Sequence, residues 1–174
     1  VVYRFSLDGE NWTYCDYDDA AGFSMANAAQ MTVKDTDTIV WCRTVVDGYD
    51  YSLGSKVDAY GQVWVENCTE GENKCASVVA EVGYGKEGDK AEDFTYAPAA
   101  YNEYVTTGNN DEYMAQVSPD AVGYYRIAYR FSVDNKKTWT YCDADDQADF
   151  NPENMSGLHI QDPIEWCQVY MNSP

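Results

Sequence analysis

Along most of the chain large apolar residues alternate with polar ones in short runs, and no apolar stripe of helical period is sustained. Period two predicts strands at Val1–Phe5 and after Trp12, then at Met31–Val33, Thr38–Val46, Tyr60–Glu66, Ala76–Tyr84, Glu112–Val117, Gly123–Val133, Gly157–Gln161 and Glu165–Met171. The connections at Val46–Lys56, Gly85–Asp93, Asn109–Asp111 and Ser118–Asp120 are rich in Gly, Asp, Asn and Pro, the residues turns require. Tyr60–Glu66 and Ala76–Tyr84 flank Cys68 and Cys75 and read as a hairpin pinned by a disulfide. Phe94–Tyr104 is aromatic but irregular and is broken by Pro98. Short strands with frequent turns predict an all-β protein, a β-sandwich or barrel.

One stretch occurs twice. Tyr3 to Asp16 reads Tyr-Arg-Phe-Ser-Leu-Asp-Gly-Glu-Asn-Trp-Thr-Tyr-Cys-Asp, and Tyr129 to Asp143 repeats it with one more residue in the turn. Trp41-Cys42 recurs as Trp166-Cys167, so the repeat spacing is roughly 125 residues and the chain holds a non-integral number of copies. The expected organisation is a tandem repeat with an incomplete N-terminal module at 1–38, a complete module at 39–163 and a terminal strand at 164–174. A half-module exposes an apolar sheet edge that something must cover. Three arrangements meet that need: a longer tandem array, donation of the terminal strand to a neighbouring chain, or packing of 1–38 on the central module.

Thirty acidic residues against eleven basic ones give a formal net charge of −19. That balance disfavours nucleic acid and anionic lipid as partners, and no apolar run is long enough for a membrane-spanning helix. Six cysteines, Cys15, Cys42, Cys68, Cys75, Cys142 and Cys167, point to disulfides and an oxidising, secreted or cell-surface location. The repeat pairs Cys15 with Cys42 and Cys142 with Cys167, which leaves Cys68–Cys75 as a short clip. Zinc is the rival, but paired Cys-x-x-Cys units are lacking and the one histidine is His159.

Three groups of residues are candidates for chemistry or binding. Ser132-x-Asp134 with Thr138-Trp139 resembles the Asp-box, a structural brace in which the Asp caps a turn; Ser6-Leu-Asp8-Gly9 with Trp12 is a shortened version. After each hairpin stands an acidic cluster, Asp16, Asp18, Asp19 and Asp143, Asp145, Asp146, whose alternate carboxylates suit calcium, although the spacing lacks the full EF-hand ladder. Tyr96, Tyr101, Tyr104 and Tyr113 form a Tyr-rich stretch able to present rings to glycans. No Gly-x-Ser-x-Gly elbow or phosphate-cradling loop is present, and no carboxylate pair stands out, so no enzyme activity is expected.

Tyr60-Gly61-Gln62-Val63, Ala80-Glu81-Val82-Gly83-Tyr84-Gly85, Asn110–Met114, Gly123-Tyr124-Tyr125 and Tyr129–Asp143 together resemble an immunoglobulin-like module of secreted and surface proteins of myxobacteria and related bacteria. The likeness covers Ile39–Asp146 and part of 1–22. It implies a secreted immunoglobulin-like β-sandwich without catalytic residues; in that family the Cys-Asp is followed by an Asp-Gly loop resembling a calcium site, where Asp19 and Asp146 stand here in place of Gly. The resulting expectation is an extracellular structural or adhesive protein, self-associating head-to-tail in a filament-like assembly by strand complementation. The alternative is a carbohydrate-binding module using the Tyr-rich surface.

Overall fold

A computed structural model describes residues 2–17, 22–30, 37–71, 73–105 and 108–163. The chain divides into two units, Val1–Asp35 and Thr36–Pro174. The first is a small hairpin, β1 (Tyr3–Phe5) paired antiparallel with β2 (Thr13–Cys15), followed by a 3₁₀ turn at Met25–Asn27.

The second unit is a sandwich of two sheets. One sheet runs β3 (Ile39–Val46), β5 (Val57–Val65), β9 (Asp111–Val117), β8 (Ala100–Tyr101). The other runs β4 (Asp50–Ser52), β12 (Ser156–Gln161), β10 (Gly123–Ser132), β6 (Val79–Lys86), β7 (Thr95–Pro98), with β11 (Thr140–Cys142) also on β10. All ladders are antiparallel except β4 with β12. Among the described residues no helix is long and apolar enough to cross a membrane.

The alternation seen in sequence sets the inner faces. Val57, Ala59, Val63 and Val65 of β5 are fully buried, as are Ile127, Tyr129 and Phe131 of β10 and Leu158 of β12. Each large side chain buried this way contributes about 1.5–3 kcal/mol. Tyr129 lies flat on Gly61, where any Cβ would come within 2.2 Å of its ring. Its hydroxyl donates to Ala59 O at 2.8 Å, so this buried phenol is satisfied. On the outer face of the second sheet, Ala91, Phe94, Ala128 and Met155 form a small second core.

Several expectations are corrected. β5 and β6 belong to different sheets, so Cys68–Cys75 clips a crossover between sheets and not a hairpin turn. Asn67, at φ 61°, turns the chain out of β5, and Cys68 and Thr69 both donate their N–H to Val65 O. Val46–Lys56 holds the edge strand β4, too short to show alternation. Phe94–Tyr104 is two strands, β7 and β8, one in each sheet; Pro98 is tolerated because β7 is an edge. The long disulfide is Cys42–Cys142, with Cα atoms 5.5 Å apart, which overturns both Cys15–Cys42 and Cys142–Cys167. The two halves of one sandwich face each other at Trp41-Cys42 and Cys142, whereas the expected pairing joined residues close in sequence. Cys15 is unbonded and exposed. Cys167 and the strand expected at 164–174 lie outside the described residues, as do Met31–Val33.

Candidate functional site

The two sequence copies fold alike. Tyr3 faces Cys15 in the first hairpin as Tyr129 faces Cys142 in the second. Asp8 Oδ1 accepts from the N–H groups of Glu10 and Asn11, and Asp134 Oδ1 from those of Lys137 and Thr138. These bonds hold both carboxyls below their ordinary value; that of Asp134 falls to about 2, the Thr138 backbone bond being the largest cause. The Asp-box residues thus serve as turn braces. Lys136 takes φ 67° where Gly9 has φ 77°, a strained choice for a side chain, and its Nζ donates to Glu81 Oε1 at 2.8 Å. Arg130 lies between Tyr96 and Trp139, 3.7 and 4.3 Å from the ring centroids, while its Nε and Nη2 donate to Glu81 Oε2. Burial pushes Glu81 up, but the Lys136 and Arg130 bonds outweigh it and hold the carboxyl below its ordinary range.

The acidic clusters are structural corners. Asp16 Oδ2 accepts from Ser24 N at 2.6 Å, and Asp143 Oδ2 accepts from Asn151 N at 2.5 Å. Asp143 Oδ1 accepts from Asp145 N, Asp145 from Gln147 N and from the Asn154 side chain, and Asp146 pairs with Arg43 at 2.8 Å. Each engaged oxygen of Asp143, Asp145 and Asp146 accepts a single donor, so a calcium ion there would share the carboxylates with these bonds. Asp18 and Asp19 lie outside the described residues. Asp37, Cys68 and Cys75 place ligand atoms within 4.8 Å of one another, yet both sulfurs are consumed by the disulfide.

The four tyrosines do not share one surface. Tyr113 is buried in the sandwich, Tyr101 packs edge-on against it, Tyr96 holds Arg130 on the outer face of the other sheet, and Tyr104 is exposed to solvent. Burial raises the Tyr96 and Tyr113 phenols well above their ordinary value, so both remain neutral.

A different aromatic row does reach solvent. β10 turns Tyr125 and Ile127 inward, which sends Tyr124 outward; β12 buries Leu158 and Ile160, which sends His159 and Gln161 outward. The register sets Tyr124 opposite His159, and the two rings stack at 4.3 Å with 9° between planes. Tyr49 also packs on His159, tilted by 39° with ring centroids 6.1 Å apart. Gly157 leaves it room, because a Cβ there would meet the Tyr49 ring at 3.0 Å. Tyr124 and Tyr49 are 53% and 48% exposed, so both ends of the row offer ring surface to water.

Beside the row, Asp50 Oδ1 accepts from Gln161 Nε2 at 2.7 Å and lies 2.8 Å from His159 Nδ1. The His159 bond first and the Gln161 bond second hold the Asp50 carboxyl below its ordinary 3.8. A carboxylate only accepts, so His159 Nδ1 donates to Asp50. The site therefore combines apolar ring surface with a carboxylate, an amide and an imidazole.

No family model matches the chain. It is 30% identical over 114 residues to an amylopullulanase of Thermoanaerobacter thermohydrosulfuricus, an alignment covering 55% of this chain and 8% of that protein. An amylopullulanase of Thermoanaerobacterium thermosulfurigenes is 28% identical over 99 residues, covering 47% of this chain and 5% of the relative. The chain thus spans less than a tenth of either curated relative. Among solved structures, the carbohydrate binding module of the muscle glycogen-targeting subunit of Protein Phosphatase-1 superposes with a TM-score of 0.41, at 13% identity, over 68% of this chain and 76% of that one.

Sequence reasoning missed Tyr49, Asp50, Tyr124 and Gln161, and named His159 only in setting a zinc site aside. Alternation along Gly123–Val133 did mark Tyr124 as outward. The parallel pairing of β4 with β12, which brings Asp50 to His159, left no local signal.

Proposed function

We propose that the sandwich unit is a non-catalytic carbohydrate-binding module that receives an α-glucan on the Tyr124–His159–Tyr49 row. The observation that carries this reading is the solvent-facing stack of Tyr124 on His159 beside Asp50 and Gln161. Pyranose rings present one apolar C–H face, which packs on an aromatic ring, and a rim of hydroxyls that pair with planar polar side chains. Asp50 accepts from a sugar hydroxyl, Gln161 offers its amide, and His159 Nε2 pairs with a sugar hydroxyl. The segment shared with two amylopullulanases supports a glucan of the kind their name indicates. A secreted, immunoglobulin-like module in an oxidising setting is the context that fits the two disulfides. The structural or adhesive reading keeps one supporting feature, the open face of the first hairpin.

Affinity electrophoresis of the 174-residue chain through gels containing amylose, pullulan or cellulose tests the proposal. Amylose and pullulan are expected to retard it and cellulose to leave it unaffected. Tyr124→Ala is expected to weaken binding about 30-fold, the equivalent of ~2 kcal/mol for loss of a central aromatic contact. Equal mobility of the parent chain in all three gels defeats the proposal.

A further inference from the structure

In the second hairpin Tyr129 and Phe131 are fully buried and Cys142 is bonded to Cys42. What covers them is the front of the module. Thr44 of β3 donates its N–H to Asp143 O at 2.6 Å and its hydroxyl to Cys142 O at 2.8 Å, and its Oγ1 accepts from Tyr129 N at 2.8 Å. Trp41 Nε1 donates to Asp146 O at 3.1 Å, and β5 supplies Gly61 beneath the Tyr129 ring.

The first hairpin has the same register, the same braced turn and the same acidic corner, but its matching face is open. Tyr3, Phe5 and Leu7 are 72%, 64% and 109% exposed, and Cys15 beside them is an unbonded, exposed thiol. An apolar sheet face of this kind is uncommon without a partner. Its twin within the same chain shows what complements it.

We propose that the open face of β1–β2 receives the front of another module of the same repeat, whose Trp-Cys opening strand closes a disulfide on Cys15. The opening-strand sequence is one this chain uses twice, at Trp41-Cys42 and at Trp166-Cys167, the second outside the described residues. Cys42 is already committed to Cys142, so the complementing cysteine comes from a different module. Closure joins two thiols with loss of two protons and two electrons to a small-molecule disulfide, which leaves as two thiols. The joint is independent of the glucan reading, because its residues lie in the hairpin unit and the aromatic row lies in the sandwich unit.

The test uses the 174-residue chain carrying Cys167→Ser, so that Cys15 is the thiol under assay. The probe is a synthetic peptide with the sequence of Ile39–Val46, its cysteine activated as a mixed disulfide with an aromatic thiol. The Cys15 thiolate attacks the peptide sulfur, and the aromatic thiolate leaves with the bonding pair and is read by its absorbance. The peptide is expected to react about tenfold faster than one of scrambled order, the equivalent of ~1.4 kcal/mol of docking. Phe5→Asp is expected to erase that preference while leaving the scrambled-peptide rate unchanged. Equal rates for the two peptides overturn the proposal, since Cys15 is then an ordinary surface thiol. A preference that survives Phe5→Asp overturns it too, as does a Cys15–Cys15 dimer formed before peptide is added, which makes a second copy the occupant.

Discussion

The two hairpins are the same local structure in opposite circumstances. Both seat an Arg on a Trp, Arg4 over Trp12 at 4.1 Å and Arg130 over Trp139 at 4.3 Å. Both lean a Tyr on a Phe across the corner, Tyr14 on Phe23 and Tyr141 on Phe150, with centroids 5.6 and 5.9 Å apart. Both end in a capped 3₁₀ turn, at Met25–Asn27 under Ser24 and at Pro152–Asn154 under Asn151. The second is part of the sandwich, whereas Tyr3 and Phe5 of the first are exposed. The shared features are therefore those the strand-turn-strand sequence specifies by itself, through short-range bonds. Burial, the long disulfide and the Thr44 network belong to the module and not to the hairpin.

The sharpest way to break this comparison is to remove the matching cysteines one copy at a time. Replacing Cys42 and Cys142 together by Ser opens a loop with a sequence separation of 100. Chain entropy puts the loss at about 4–5 kcal/mol, a drop in Tm of roughly 10 °C or more for a domain of this size. Cys15→Ser is expected to leave Tm unchanged in the isolated chain. Calorimetry on the two variants decides it; equal effects mean that the hairpins are not in the different environments described.

The next largest contrast is in the core. Phe131 is fully buried between the sheets and packs on Tyr129 and Tyr113. Phe131→Ala is expected to cost about 3–4 kcal/mol, the range for emptying an aromatic site. Phe5→Ala, at the matching position, is expected to change stability by no more than about 0.5 kcal/mol. Denaturant midpoints for the two variants measure the difference. A large effect of Phe5→Ala means that its ring is covered within the chain, which also removes the basis for docking on that face.

What the sequence made legible follows the same division. The braced turns, the period-two strands and the equivalence of Tyr3–Asp16 with Tyr129–Asp143 depend on residues a few positions apart, and they were readable. Which sheet each strand joins was not. Ala76–Tyr84 alternates as well beside Tyr60–Glu66 as beside Gly123–Val133, and the structure pairs it with the second of these. The disulfides show the same limit. Cys68–Cys75 is local and came out as the remainder of the repeat's pairings, whereas Cys42–Cys142 depends on how two sheets face each other. The candidate site depends on the least local ladder, β4 with β12, so its chemistry was invisible although Tyr124 and His159 each pointed outward by pattern. Carboxylate spacing in the second acidic cluster likewise does not reveal that Asp143 and Asp145 also accept from backbone N–H groups.

The smallest expected effect is one the two copies share. Asp8 and Asp134 have carboxyls lowered by turn hydrogen bonds, that of Asp134 from 3.8 to about 2. A carboxyl whose pKa is lower folded than unfolded stabilises the fold fully above its unfolded value, and that contribution disappears as pH falls through the folded one. For Asp134 the window runs from 3.8 down to about 2, and for Asp8 it extends lower. Both side chains face solvent, so salt and water screen the effect and the change in Tm is expected to be no more than a few degrees. Backbone amide NMR across an acid titration reads each turn separately. The amides of Lys137 and Thr138 are expected to move in that window together with those of Glu10 and Asn11, because the bonds that cause the shift are local to the hairpin. Asp134→Asn is expected to abolish the movement in the second turn and leave the first unaffected. Titration confined to the buried hairpin would mean that the sandwich, and not the turn, lowers the carboxyl, and the likeness of the two copies would then end at their backbone register.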